Sequence, residues 1–139
     1  MSLPVSRVNP QEAHTLMQRT PDAVLLDVRS RVEFDYVGHP PGALHIAWKE
    51  FPDWRVDPAF AERVYAAMRA RGIADPRATP VFAICRSGGR SMAAAEELAR
   101  HGFKTLYNVE EGFEGDHDAA GHRNTVNGWR VRGLPWEQT

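Results

Sequence analysis

Two short apolar runs constrain the fold of this chain more than any other feature. The first covers residues 23–26 and leads into Asp27, and the second covers residues 81–84 and leads into Cys85. Strands buried on both faces have such nearly continuous hydrophobic sequences, which are typical of the centre of a parallel sheet. Segments with helical patterns alternate with these strands. The sequence therefore predicts an α/β fold with one central, mostly parallel sheet of about five strands and helices on both faces.

Capping and turn signals predict the remaining elements. Asn9, Pro10 and Glu12 form a helix start with a capping box, and Ser30 with Glu33 forms another. The predicted strands are residues 5–8, 23–28, 43–47, 81–84 and 104–109, and the predicted helices are residues 10–19, 30–36, 57–70 and 91–101. Residues 48–57 are predicted to be irregular. We interpret residues 1–139 as a single domain, in which residues 115–127 are a polar insertion without clear periodicity.

The bulk composition excludes several classes of function. The formal net charge is −1, so no global field would attract nucleic acid or an anionic membrane, and neither is expected as a partner. No apolar run approaches the ~18 residues of a membrane span. Residues 1–5 lack the basic and apolar regions of a signal peptide. Cys85 is the only cysteine, which excludes an internal disulfide or a multi-cysteine zinc site. We therefore expect a cytoplasmic location.

A glycine- and arginine-rich loop follows Cys85 and is expected to activate its sulfur. Reactive groups gather beyond the carboxyl ends of strands in a parallel sheet, and Cys85 directly follows one. Gly88 and Gly89 allow positive φ, so that backbone N–H groups can form an anion-binding nest, and the next helix adds its positive end. Arg86 and Arg90 bring permanent charge. Each feature favours the thiolate over the thiol, which predicts that Cys85 is a nucleophile.

Three separated motifs, in the same order, make the chain resemble the single-domain rhodaneses, a family of sulfurtransferases. The motifs are Leu26-Asp27-Val28-Arg29 with Glu33-Phe34 and residues 38–46, then residues 85–91, then Gly128-Trp129 with Gly133-Leu134-Pro135. The resemblance covers nearly the whole chain, from about Val5 to Trp136. It implies the three-layer rhodanese-like fold.

The resemblance also implies a two-step sulfur transfer through Cys85. The thiolate takes the sulfane sulfur of a small anionic donor, thiosulfate or a persulfide, and becomes a persulfide. A thiol, cyanide or a protein acceptor then removes the sulfur, and neither a metal nor an organic cofactor is needed. The residues that would bind the substrate are Arg86, Ser87, Gly88, Gly89, Arg90 and Ser91. Two alternatives keep the same fold: a persulfide relay for a protein partner, and a binding module without turnover.

One other family competes for the same loop. The Cys-loop phosphatases and some arsenate reductases resemble the pattern of a cysteine and an arginine separated by five residues. Here Cys85 and Arg90 enclose four residues. The shorter loop should form a tighter cradle, which suits one extra sulfur atom better than a tetrahedral phosphoryl group. The spacing therefore favours sulfur transfer.

Residues outside the loop are expected to support it. In the family view Asp27 and Arg29 hold the surrounding loops, and Arg29 is a candidate partner for Glu33. Trp48 and Phe51 follow the third predicted strand, so they either form the rim of the pocket or pack on the core.

Two further groups of polar residues are candidates for chemistry. His39 and His45 could serve a Cys–His hydrolase, but neither lies in such a motif. Asp116, His117, Asp118 and His122 are metal-capable, but their spacing fits a solvated loop better than a metal site. Because residues 115–127 leave the fifth strand on the same face as Cys85, we expect them to form part of the pocket wall and to affect which donor or acceptor enters.

Overall fold

The computed structural model describes residues 4–139; residues 1–3, part of the segment considered above as a targeting signal, lie outside the described residues. The elements in chain order are β1 (Val5–Val8), α1 (Pro10–Arg19), β2 (Val24–Asp27), β3 (Leu44–His45), β4 (Lys49–Glu50), β5 (Arg55–Val56), α2 (Phe60–Ala70), β6 (Val81–Ile84), α3 (Gly89–Arg100) and β7 (Leu106–Val109). A wide helical turn covers Glu33–Val37 and a 3₁₀ turn covers Pro76–Ala78. No helix among residues 4–139 is long and apolar enough to cross a bilayer.

Five parallel strands form the central sheet in the order β1–β7–β6–β2–β3. Every residue of β2 and of β6 is buried, as their apolar sequences predict. Asp27 at the end of β2 lies opposite Ile84 at the end of β6. Cys85 therefore emerges at the carboxyl edge of the sheet, next to the end of β2 and between two neighbouring strands.

Two hydrophobic clusters cover the two faces of the sheet. Alternate strand residues take part in each: Leu26 packs in one cluster and Leu25 in the other. The first contains side chains of α2 and α3, such as Met68 and Leu98. The second contains α1 and the C-terminal segment, in which Trp129 is buried. This arrangement confirms the predicted α/β fold, with a parallel five-stranded sheet between layers of helices.

Local signals placed most element boundaries correctly. The capping box of α1 is present: the Asn9 side chain accepts from the Glu12 N–H at 2.8 Å, and the Asn9 N–H donates to the Glu12 carboxylate at 2.9 Å. Asp57 and Pro58 are predicted to cap the helix that ends at Ala70, but α2 begins at Phe60, because the Asp57 carboxylate accepts from the Ala59 N–H in a turn before it. The prediction that residues 48–57 are irregular is wrong in part, since β4 and β5 pair there as an antiparallel hairpin.

Candidate active site

Two hydrogen-bond donors converge on the sulfur of Cys85. The Gly88 N–H lies 3.1 Å from Sγ and the Ser91 hydroxyl lies 3.2 Å from it. Gly88 adopts φ 111°, a left-handed conformation that favours glycine, and α3 begins at the next residue. Cys85 itself is only 1% exposed. Donors to a sheltered sulfur stabilise an anion there, so the loop has the geometry expected of a cradle for a thiolate or a persulfide.

Asn108 on β7 contacts both residues that carry these donors, and the sequence analysis did not select it. Its Nδ2 donates to the Gly88 carbonyl at 3.1 Å, and its Oδ1 faces the Ser91 hydroxyl as an acceptor that competes with Sγ. Ser91 and Asn108 are both buried. The Ser91 hydroxyl has one proton for Sγ, Oδ1 and the Gly88 carbonyl, and it donates to Sγ when the sulfur carries a negative charge, since hydrogen bonds to an ionised acceptor are the stronger ones. A polar side chain within a buried strand was the available sequence signal for Asn108.

The segment after β7 holds the backbone of the loop. The Phe113 N–H donates to the Cys85 carbonyl at 2.8 Å, and the Glu114 N–H donates to the Arg86 carbonyl at 3.0 Å. Gly112 makes this approach possible: a Cβ there would come within 2.5 Å of the Cys85 carbonyl oxygen. Its φ of 64° also favours glycine. Gly112 is a second site residue that the sequence analysis did not select.

Arg90 forms a bidentate ion pair with Glu33. Its Nη1 and Nη2 lie 2.7 and 2.8 Å from the two carboxylate oxygens. Burial raises the pKa of Glu33, but the hydrogen bonds and charge of Arg90 and the hydrogen bonds from Ser30 outweigh it and lower that pKa from 4.5 to about 2. The Glu33 side chain raises the pKa of Arg90 in turn. Arg90 is therefore held by Glu33, and its charge is largely compensated.

Asp27 and Arg29 form a separate, fully buried pair. Arg29 donates through Nε and Nη2 to Asp27, with the shortest distance 2.6 Å, and Nη2 also donates to the Gly38 carbonyl at 2.7 Å. The guanidinium lies over the Phe113 ring, with Cζ 4.6 Å from its centre. The expected pairing of Arg29 with Glu33 is therefore wrong, because Arg29 points into the core. Through these contacts the pair connects the end of β2 to the loop at Gly38 and to Phe113 in the segment after β7.

A cavity of about 1210 Å³ opens beside the loop on the side of Arg86 and Arg90. Its other walls come from the β4–β5 hairpin, through Phe51 and Trp54, and from residues within 115–127. Phe51 therefore lies at the rim. Trp48 does not: it is only 8% exposed and packs edge-on against Phe60, at 5.1 Å between ring centres. The rim expectation is wrong for Trp48, because its side chain belongs to the core.

A second cavity, of about 500 Å³, lies on the other side of the loop. Ser87 and Gly88 line it, together with one cation, Arg7, and the four carboxylates of Glu12, Glu110, Glu111 and Asp116. The loop residues predicted to bind one substrate therefore face two different environments. An anion is repelled from the acidic cavity and attracted to the side of Arg86.

The imidazole rings of His39 and His45 hydrogen-bond to backbone carbonyl groups and so have a structural role. Nδ1 of His39 donates to the Phe34 carbonyl at 2.9 Å, and Nε2 of His45 donates to the Arg29 carbonyl at 2.7 Å. The Phe34 ring stacks on His39 with 3.8 Å between ring centres. Among the described residues neither imidazole hydrogen-bonds to Cys85. This geometry gives no Cys–His pair of the kind that a hydrolase uses.

Residues 115–127 form a loop ordered by its own hydrogen bonds. The Asp118 carboxylate accepts from the N–H groups of Ala120 and His122 and from the Thr125 hydroxyl. These contacts, with the hydroxyl hydrogen bond at 2.7 Å, explain how a stretch without helix or strand keeps one shape. The hydrogen bonds with His122 and Thr125 lower the pKa of Asp118. Across residues 4–139 no three His, Cys, Asp or Glu side chains are grouped as they would be to hold a metal ion.

Comparisons with known proteins agree with this geometry. Residues 9–119 match the rhodanese-like domain family. The chain is 30% identical, over 110 residues, to the thiosulfate sulfurtransferase GlpE of Glaesserella parasuis, covering 79% of this chain and 84% of the relative. It is similar to the crystal structure of Rv0390 from M. tuberculosis, with a TM-score of 0.81 and 38% identity over 97% of this chain and 98% of that one. The polysulfide-sulfur transferase homodimer from Wolinella succinogenes gives a TM-score of 0.59 and 25% identity, over 97% and 80% of the two chains. The chain belongs to the rhodanese-like domain family.

Proposed function

We propose that this protein is a sulfurtransferase that carries sulfane sulfur on Cys85. The observation that carries the proposal is the pair of donors, Gly88 N–H and Ser91 hydroxyl, at 3.1 and 3.2 Å from Sγ. The relative named a thiosulfate sulfurtransferase supports the same chemistry. Among the described residues no imidazole or carboxylate hydrogen-bonds to Sγ, so the proposal assigns no general base.

The reaction has two displacement steps. In the first, the Cys85 thiolate attacks the sulfane sulfur of thiosulfate; the bond between the two sulfur atoms of thiosulfate breaks, and sulfite leaves with the electron pair. In the second, an acceptor thiolate or cyanide attacks the outer sulfur of the Cys85 persulfide and releases the thiolate. Neither step needs an external oxidant or reductant. Arg86, exposed at the mouth of the cavity, attracts the anionic donor.

The persulfide fits the same donors as the thiolate. Adding a sulfur to Sγ moves the negative charge outward by one bond. Oriented N–H and O–H dipoles stabilise charge without reorganising, which lowers the barrier of a step that transfers an anion. The sheet thus supplies the rigid base and the loop supplies the electrostatic stabilisation.

Intact mass spectrometry tests the proposal directly. Incubation with thiosulfate should add about 32 Da, one sulfur atom, to the protein, and cyanide should remove it. The Cys85→Ser variant should keep its unfolding transition but gain no mass and transfer no sulfur. Phosphate-ester and arsenate assays run beside it test the competing chemistry. A wild-type protein that gains no sulfur, or a Cys85→Ser variant that still transfers it, would refute the proposal.

A further inference from the structure

The Ser91 hydroxyl faces two competing acceptors inside the cradle. Its Oγ lies 2.5 Å from Oδ1 of Asn108 and 3.2 Å from Sγ of Cys85. The Gly88 carbonyl, also at 3.2 Å, already accepts from Nδ2 of Asn108. A hydroxyl has one proton, so a hydrogen bond to Oδ1 and one to Sγ exclude each other. Rotation about the bond from Cβ to Oγ moves the proton between them, and no heavy atom has to move.

The Asn108 amide is oriented by its surroundings. The Gly88 carbonyl can only accept a hydrogen bond, so Nδ2 must face it, and Oδ1 is left facing Ser91. Asn108 is 3% exposed and Ser91 is fully buried, so water cannot readily replace a lost donor. A buried amide oxygen without a donor is costly. Oδ1 therefore takes the Ser91 proton whenever Sγ is the weaker acceptor.

The strength of Sγ as an acceptor changes during the reaction. In the Cys85 thiolate, Sγ carries a negative charge, and a hydrogen bond to an ionised acceptor is about twice as strong as one between neutral groups. In the persulfide, Sγ is bonded to Cβ and to the outer sulfur, and the outer sulfur carries the charge. The Ser91 proton is therefore expected on Sγ in the thiolate and on Oδ1 of Asn108 in the persulfide. The Gly88 N–H differs, because the backbone fixes its direction towards Sγ.

We propose that Asn108 is a positioning residue that prolongs the lifetime of the Cys85 persulfide, because it holds the Ser91 proton until Sγ becomes charged; this inference rests on the proposed sulfurtransferase function. When a nucleophilic acceptor attacks the outer sulfur, a bond forms between the acceptor and that sulfur. The bond from Sγ to the outer sulfur breaks, and Sγ keeps the electron pair. As this charge develops, the Ser91 O–H turns from Oδ1 to Sγ. The proton stays on Ser91 throughout.

This role gives Asn108 opposite effects on the two steps of the reaction. Release of the sulfur breaks the hydrogen bond between Ser91 and Asn108, so Asn108 raises the barrier of that step. Loading of the sulfur forms the same hydrogen bond, so Asn108 favours the loaded protein. A residue that only held the loop in place would support both steps alike. The direction of each effect therefore separates positioning of the Ser91 proton from a purely structural role.

The variant Asn108→Leu removes the competing acceptor at similar side-chain size. Loading by thiosulfate and release to cyanide are timed separately by intact mass spectrometry at about pH 9, where an ordinary thiol is mostly ionised. We expect release to become about 2- to 10-fold faster, the range for loss of one neutral hydrogen bond, and loading not to become faster. The fraction of persulfide at equilibrium in fixed mixtures of thiosulfate and sulfite should fall.

Two controls show whether Asn108 acts through Ser91. In the Ser91→Ala background there is no hydroxyl proton to hold, so Asn108→Leu should no longer accelerate release. Thr79→Val removes a buried hydroxyl that donates to the Asp75 carbonyl at 2.9 Å, before β6 and at the other end of that strand from Cys85. It should leave the rates of loading and release unchanged.

Nuclear magnetic resonance of protein with wild-type Asn108 gives a second test that does not depend on the folding of Asn108→Leu. With ¹³C-labelled asparagine, the side-chain carbonyl signal of Asn108 should differ between the sulfur-free protein and the persulfide at about pH 9, because Oδ1 gains a donor only in the persulfide. In Ser91→Ala most of this difference should disappear. An equal difference with and without the Ser91 hydroxyl would overturn the inference.

The outcomes distinguish this inference from the function on which it rests. If the wild-type protein forms no persulfide, the proposed function itself fails. If the persulfide forms but Asn108→Leu slows release or leaves it unchanged, the inference is overturned and Asn108 only holds the loop. Equal acceleration of release by Asn108→Leu in the presence and absence of Ser91 would also overturn it.

Discussion

The ion pair between Glu33 and Arg90 allows a quantitative prediction for the variant Glu33→Gln. Glutamine keeps the shape and can still accept a hydrogen bond, so the change removes mainly the charge. Moving the pKa of Glu33 from 4.5 to about 2 corresponds to about 3 kcal/mol of stability at neutral pH, at about 1.4 kcal/mol per pH unit. Water still reaches part of this carboxylate, so screening reduces the expected loss to about 1–2 kcal/mol.

The pH dependence of this loss has a definite sign. A depressed carboxylate pKa stabilises the folded state above the unfolded pKa of 4.5, and the stabilisation disappears as the pH falls towards 2. Urea denaturation at pH 7, 5, 4 and 3 should therefore show wild type and Glu33→Gln converging below pH 4.5, with over half of the difference gone at about pH 3. Glu97→Gln, which removes a carboxylate from an exposed pair on α3, is the matched control and should change little. A difference between wild type and Glu33→Gln that stays constant from pH 7 to 3 would refute the reasoning.

Four further substitutions test the scaffold of the site. Ser91→Ala removes one of two donors to a charged sulfur, worth about 1.5–3 kcal/mol, and should slow sulfur transfer about 10- to 100-fold in steady-state assays; it should also lower Tm, because the buried Oδ1 of Asn108 loses its donor. Asn108→Asp places a negative charge near the sulfur of Cys85, so alkylation by iodoacetamide should require a higher pH than in wild type; an unchanged pH profile would contradict this. Asp27→Asn leaves a buried guanidinium without its charge partner and should cost about 3–5 kcal/mol in urea denaturation. Gly112→Ala combines a positive φ with a clash against the loop and should lower stability by more than about 1 kcal/mol and impair persulfide formation.

The core of the fold could be predicted because strands that are buried on both faces consist almost entirely of apolar residues. β2 and β6 are buried throughout, and their short apolar runs are typical of strands at the centre of a parallel sheet. The position of Cys85 followed from the same reasoning, since a residue after β6 must lie at the carboxyl edge of the sheet. The hairpin of β4 and β5 was missed because strands of two residues are too short to show an alternating pattern.

The ion pairs of the site could not be assigned from sequence. Arg29 lies four residues before Glu33, so local spacing favoured that pairing, whereas Arg90 lies 57 residues away. The choice depends on tertiary packing: the end of β2 directs Arg29 into the core beside Asp27, and the start of α3 brings Arg90 to the turn that carries Glu33. Asn108 differs, because a polar residue within an otherwise buried strand is a signal that the sequence itself contains.

The compensated charge of Arg90 bears on the choice between sulfur and phosphate. A phosphoryl group in transfer carries charge on several oxygen atoms, and its stabilisation calls for free guanidinium or metal charge directed at them. Here the arginine that closes the loop donates both terminal nitrogens to Glu33, and the groups that face Sγ are the uncharged Gly88 N–H and Ser91 hydroxyl. Such donors suit a single negative charge on a persulfide. The partner of Arg90 therefore supports the same conclusion as the loop length, and it does so independently, because the number of residues between Cys85 and Arg90 does not determine where Arg90 points.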